Sequence, residues 1–99
     1  MATIRWTPSA TRDLEEIFLY IGRDQHSPAA AARVVREMVA KVATYAQQPL
    51  VATARPELGP AVRAFRVFRY VVFFSPIEGG IEVLRIIHGA RDIPSVFSE

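Results

Sequence analysis

The chain contains no cysteine, which excludes disulfides, thiolate nucleophiles and Cys-ligated zinc together. Lysine is nearly absent as well: Lys41 stands alone, and Arg supplies the other eleven of the twelve basic residues. No apolar run approaches the length that spans a bilayer, and residues 1–6 hold no apolar signal core. The expectation is a cytoplasmic protein with no membrane partner. There is also no internal repeat and no low-complexity segment.

What is present is a foldable composition. Residues 1–99 suffice for one domain with one core, and with 51% hydrophobic and 22% charged residues the chain should fold rather than stay disordered. Net charge is only +2 although the pI is about 9.5. The arginine excess has two readings, a GC-rich coding sequence or a surface built to hold anions, because guanidinium groups offer planar bidentate donors to carboxylates and phosphates. Where the arginines sit decides between them.

Residues 3–6 alternate as a short first strand. Thr7-Pro8 then supplies an N-cap hydroxyl followed by proline in the first turn, a helix start. Leu14, Ile17, Phe18 and Ile21 follow at helical spacing as one apolar stripe, with Arg12, Asp13, Glu16 and Arg23 assigned to the opposite side. Residues 22–26 read as a turn. Ser27-Pro28 repeats the start signal, and Ala31, Val35, Met38, Val42 and Tyr45 form the stripe of a second helix that Gln47-Gln48-Pro49 closes. Two amphipathic helices joined by a short turn make an antiparallel hairpin.

Residues 49–60, with Pro49, Pro56, Gly59 and Pro60, read as an irregular connector. Residues 62–67 alternate, with Arg63, Phe65 and Val67 on one face and Val62, Ala64 and Arg66 on the other. Residues 70–74 are apolar on both faces, as in a central strand. Residues 76–80 read as a turn and 81–87 as the last strand. Ile93-Pro94 is expected to end regular structure, leaving 95–99 as a tail. The order β-α-α-β-β-β predicts an α+β sandwich, a helical hairpin on an antiparallel sheet. Its last strand runs into a basic rim, Arg85, His88 and Arg91 around Gly89, which suits gripping an anionic partner better than acid–base chemistry.

That order, together with Leu14-Glu15-Glu16-Ile17, Arg55-Pro56-Glu57-Leu58-Gly59-Pro60 before Val62-Arg63-Ala64-Phe65, and Leu84-Arg85-Ile86-Ile87-His88-Gly89-Ala90-Arg91-Asp92-Ile93, closely resembles the ParE/RelE toxin superfamily of type II toxin–antitoxin modules, and its ParE-like branch in particular. The resemblance covers nearly the whole chain. It implies a toxin that inhibits DNA gyrase without catalysis of its own, is neutralised by a cognate antitoxin in a hetero-oligomer, and meets DNA only through the antitoxin or gyrase. RelE-like members instead cut messenger RNA on the ribosome, and a degenerate toxin would act only as an antitoxin-binding co-repressor.

The residues separate these readings. Cleavage through a 2′-hydroxyl needs a base, an acid and positive charge within a few ångströms of one phosphate. Where the resemblance to RelE-like nucleases places a middle-strand arginine, this chain has Val71. Where it places a C-terminal tyrosine, the chain has Phe97, and their lysines have no counterpart; Arg91 alone matches. An independent Glu82–His88 pair shares parity on one strand, but six residues at about 3.3 Å each put the two roughly 20 Å apart. Glu57 could approach His88 from the connector, although nothing in the sequence brings it there. The His88 ring has a structural alternative, a hydrogen bond to neighbouring backbone. His26 and His88 lack a third metal ligand, so no metal or cofactor is expected. Arg85, His88 and Arg91 are the candidate target-binding residues, and Arg63, Arg66 and Arg69 the candidate antitoxin-binding residues, with edge protection as the plainer role for Arg63 and Arg66. Trp6, Tyr20 and Tyr45 are expected in or beside the core.

Overall fold

The computed structural model describes residues 1–97. Strand β1 (Thr3–Trp6) leads into α1 (Pro8–Leu19), a π-helical turn (Tyr20–Asp24) and α2 (Pro28–Gln47). Strands β2 (Thr53–Ala54), β3 (Arg63–Val67), β4 (Tyr70–Ile77) and β5 (Gly80–His88) follow, and α3 (Ile93–Phe97) closes the described chain. The expected sandwich of a helical hairpin on a sheet is present. The sheet has five strands in the order β1-β5-β4-β3-β2, antiparallel except that β1 joins β5 in parallel. The parallel edge arises because the whole hairpin forms the crossover between β1 and the rest of the sheet.

Thr7 begins α1 as its sequence promises. Its hydroxyl oxygen accepts from the Ala10 N–H at 3.0 Å, and the same hydroxyl donates to the Leu84 carbonyl at 2.8 Å. One residue therefore caps the helix and ties it to β5. Ser27 precedes α2 in the same way, but its hydroxyl makes no capping bond.

The sheet buries both faces. On the hairpin side Ile17, Ile21, Met38 and Val42 meet Phe65, Val72, Phe74, Ile81 and Val83, and Tyr45 stacks on Phe65 with ring centres 4.3 Å apart. On the other side Val62, Ala64, Val71, Phe73 and Ile87 are covered by Val96 of α3, flanked by Ile93, Phe97 and Leu58. This second layer explains the two-faced apolar pattern of β4, and it corrects the expected tail. Ile93-Pro94 opens a helical turn, since Pro is tolerated in a first turn and Val96 and Phe97 bury against Phe73. The rest of the expected tail, residues 98–99, lies outside the described residues.

Three further expectations change. The connector is not wholly irregular, because Thr53 and Ala54 pair with Ala64 and Arg63 as an edge strand. The turn after residue 77 is tight: β4 runs through Pro76 to Ile77, which pairs with Gly80. Gly80 is required there, because a Cβ at that position would lie 1.7 Å from the Thr3 carbonyl oxygen where β1 docks. Finally, β5 carries an extra residue: Phe74 pairs with Val83 and Phe73 with Arg85, leaving Leu84 as a bulge. The bulge flips the alternation, so Ile81 and Val83 share the hairpin-side core with Ile86. Glu82 and His88, of equal parity in sequence, thus end on opposite faces of the sheet, which removes them as an acid–base pair.

Candidate functional site

β1 accompanies β5 only as far as Val83, so the remainder of β5 is an open edge. The first turns of α1 complete it. The Thr7 N–H donates to the Val83 carbonyl at 3.0 Å, and Asp13 accepts from the Ile86 N–H at 2.9 Å. Asp13 also receives two bonds from Arg85, Nε to Oδ2 at 2.7 Å and Nη2 to Oδ1 at 3.2 Å. The remaining reach of Arg85 extends to α3, where Nη1 donates to the Val96 carbonyl at 2.8 Å. Asp13 was expected on the outer side of α1; instead it is 9% exposed and is the only buried charged residue among those described. A helical stripe built from apolar residues cannot reveal a carboxylate whose partner lies seventy-two positions away.

Beyond this clamp an open groove of about 930 Å³ runs between α1 with its π turn and the ends of β4 and β5. It gathers part of the predicted set: Arg85, His88 and Arg91 line it, and so does Arg69. Arg85 lies with its charge matched by Asp13 at the groove floor. The His88 ring faces the Tyr70 ring edge-on at 5.5 Å and its Nδ1 accepts from the Ala90 N–H at 3.1 Å, so the imidazole braces its own loop. Arg91 is exposed and makes no ion pair among the described residues.

Arg63 and Arg66 lie away from the groove. Arg63 donates to the Ala52 carbonyl at 2.7 Å and the Leu50 carbonyl at 3.3 Å, bracing the connector. Arg66 rests on the loop glycine: a Cβ at Gly89 would lie 3.1 Å from its Nη2 and 3.2 Å from the Arg69 carbonyl oxygen. The lack of a side chain at Gly89 therefore makes room for the protein's own Arg66. Glu57 does not approach His88. It pairs with Arg55 at 2.6 Å, and that hydrogen bond holds its carboxyl below the usual value.

Three groove residues had no sequence signal or the wrong one. Arg12 and Phe68 line it, as does Tyr20, which is half exposed rather than core. Tyr20 opens the π turn, and its hydroxyl accepts from Gln25 Nε2 at 3.2 Å. Phe68 occupies the two-residue turn between β3 and β4 at φ 55°, and is 48% exposed. Burial pushes the Tyr70 phenol up; Tyr20 adds to that shift and Arg69 opposes it. The gap between the strands at 67 and 70 was the one available hint, since a two-residue hairpin turn must project its residues outward.

A family model for the "ParE toxin of type II toxin-antitoxin system, parDE" matches residues 4–93, nearly the whole described fold. The chain belongs to the ParE toxin family. The "Putative toxin Y4kP" of Sinorhizobium fredii (strain NBRC 101917 / NGR234) is 36% identical over 95 residues, covering 94% of each chain. Among solved structures, the chromosomal ParDE TA system from P. aeruginosa superposes with a TM-score of 0.70 at 26% identity, covering 89% of this chain and 96% of that one. The match begins in β1 and ends at the start of α3, so it spans Asp13 and Arg85 but stops short of Val96. This ParE-family protein is thus a toxin of a type II toxin–antitoxin system. Among its described residues no helix is long and apolar enough to cross a membrane.

Proposed function

We propose that this ParE-family toxin acts in the cytoplasm by inhibiting DNA gyrase, without catalysis of its own, and that a cognate antitoxin silences it by binding in a hetero-oligomer. The observation that carries the non-catalytic reading is the chemistry of the groove. Arg12, Arg69 and Arg91 line it, but its carboxylates are Glu16 and the already committed Asp13, and its imidazole is turned to its own loop. A phosphate held there would meet cations but no positioned acid–base pair. Val71 is buried in the second core and Phe97 packs edge-on against Phe73 at 5.4 Å, so neither position offers a polar group. The antitoxin reading is supported by the P. aeruginosa relative, itself a ParDE system; the gyrase reading rests on family membership.

The test is a gyrase supercoiling assay with purified toxin, read for loss of supercoiling and for trapped cleaved DNA, alongside ribosome-bound message read for cuts. Inhibited supercoiling with intact message is expected, and codon-specific message cleavage would overturn the reading.

A further inference from the structure

We infer that the groove is a binding site for single-stranded nucleic acid, held by base stacking and phosphate contacts and not cut. The inference does not depend on gyrase being the target. Three independent features converge on it.

The first is Phe68. A two-residue hairpin turn needs positive φ and favours Gly or Asn, and a bulky residue there is strained. This chain keeps Phe at φ 55° with half of its surface in solvent, so the ring repays the strain with little core packing. Strain retained without a packing return marks a functional position. The second feature is the π turn. Such turns are rare and concentrate at functional sites; this one carries Tyr20 onto the groove, where Gln25 holds its hydroxyl. Two exposed aromatic side chains, one from the helical turn and one from the β3–β4 turn, therefore line one groove. The third is charge: Arg12, Arg69 and Arg91 line the same groove.

Aromatic faces beside a cationic track are the elements that hold single strands, because every base has a π-face and every linkage a phosphate. An acidic peptide would use the arginines but has no need of the rings. A duplex hides its bases in the stack, which leaves the rings unused as well.

The experiment is fluorescence anisotropy of labelled dT12 and U12 titrated with the purified full chain at about 50 and about 200 mM salt. Binding of either oligonucleotide that weakens with salt is expected. Tyr20→Ala and Phe68→Gly should each weaken it roughly tenfold, within the range for one lost stack. Because Gly accepts positive φ, Phe68→Gly should melt no lower than the parent protein, so its lost binding cannot be ascribed to misfolding. Arg91→Gln should lower the salt slope by about 0.7, the value for one phosphate contact to a single strand. Failure of both oligonucleotides to bind overturns the inference. So does parental affinity in Phe68→Gly, or equal affinity for a decaglutamate competitor, which would assign the groove to an acidic peptide.

Discussion

Asp13 and Arg85, one on the first helix and one on the last strand, form a bidentate pair with a shortest contact of 2.7 Å, and the same carboxylate accepts the Ile86 amide. The pair sits where β1 has ended and β5 would otherwise present an unpaired edge. Its side chains are 11% and 16% exposed for Asp13 and Arg85, so losing one member strands the other in a poorly hydrated place. Asp13→Ala should destabilise the fold by about 3 kcal/mol, the lower end for breaking a buried pair. Thermal melting checks this, and a melting temperature unchanged from the parent would show that the clamp is dispensable.

Gly80→Ala should be among the most damaging single-methyl changes in the chain. The added carbon would overlap the Thr3 carbonyl, and relief requires β1 to leave β5. A loss on the order of 3 kcal/mol is expected, as for other forced overpacking. Urea unfolding measures it.

Arg91→Ala should leave stability within about 0.5 kcal/mol of the parent, as for surface substitutions generally, because the side chain is exposed. If the groove rim meets the target, growth inhibition on induction should fall by about tenfold or more in dose, one charge-assisted contact being worth about 1.5–3 kcal/mol. Full toxicity of the folded variant would remove Arg91 from the target-binding surface. Arg85→Ala is expected to differ in kind and to lose stability first, because Arg85 joins α1, β5 and α3.

Alkaline pH should loosen the region around the groove. Burial raises the Tyr70 phenol above its ordinary value of 10.0, so the folded state holds that proton more tightly than the unfolded chain. The associated stability is complete below that ordinary value and is lost as pH rises through the raised one. Tyr70→Phe should therefore show a flatter decline of melting temperature above about pH 10. Glu57 runs the other way: its lowered carboxyl favours the fold above the ordinary value of 4.5, and that contribution disappears as pH falls through the depressed one.

Antitoxin binding should raise the melting temperature of the toxin, since a ligand that binds only the folded state stabilises it by about 2.7 kcal/mol at one hundred times its Kd. Co-purified complex and free toxin melted side by side give the comparison, and equal midpoints would count against a folded-state antitoxin site.

The sequence by itself determined the helices, the central strands and the family. Thr7-Pro8 and Ser27-Pro28 announce helix starts through local capping and backbone rules, and the apolar runs at 62–67, 70–74 and 81–87 announce strands through side-chain alternation. Those signals are short-range, so a linear reading captures them. Only the tertiary structure decided which side chains are committed and which are free. Asp13 looked like solvent-facing charge until β5 brought Arg85 and the Ile86 amide to it, and Arg85 looked available for the same reason. The Leu84 bulge reversed the alternation that had put Glu82 and His88 on one face. Residues 53–54 became a strand only because β3 offered an edge, and residues 93–97 became a helix only because the second sheet face needed covering. Tyr20 read as a core residue in sequence and Phe68 carried no signal, and both reach the groove through a π turn and a positive φ. Commitment of a polar or aromatic side chain depends on what arrives from distant parts of the chain, and no local pattern carries that information.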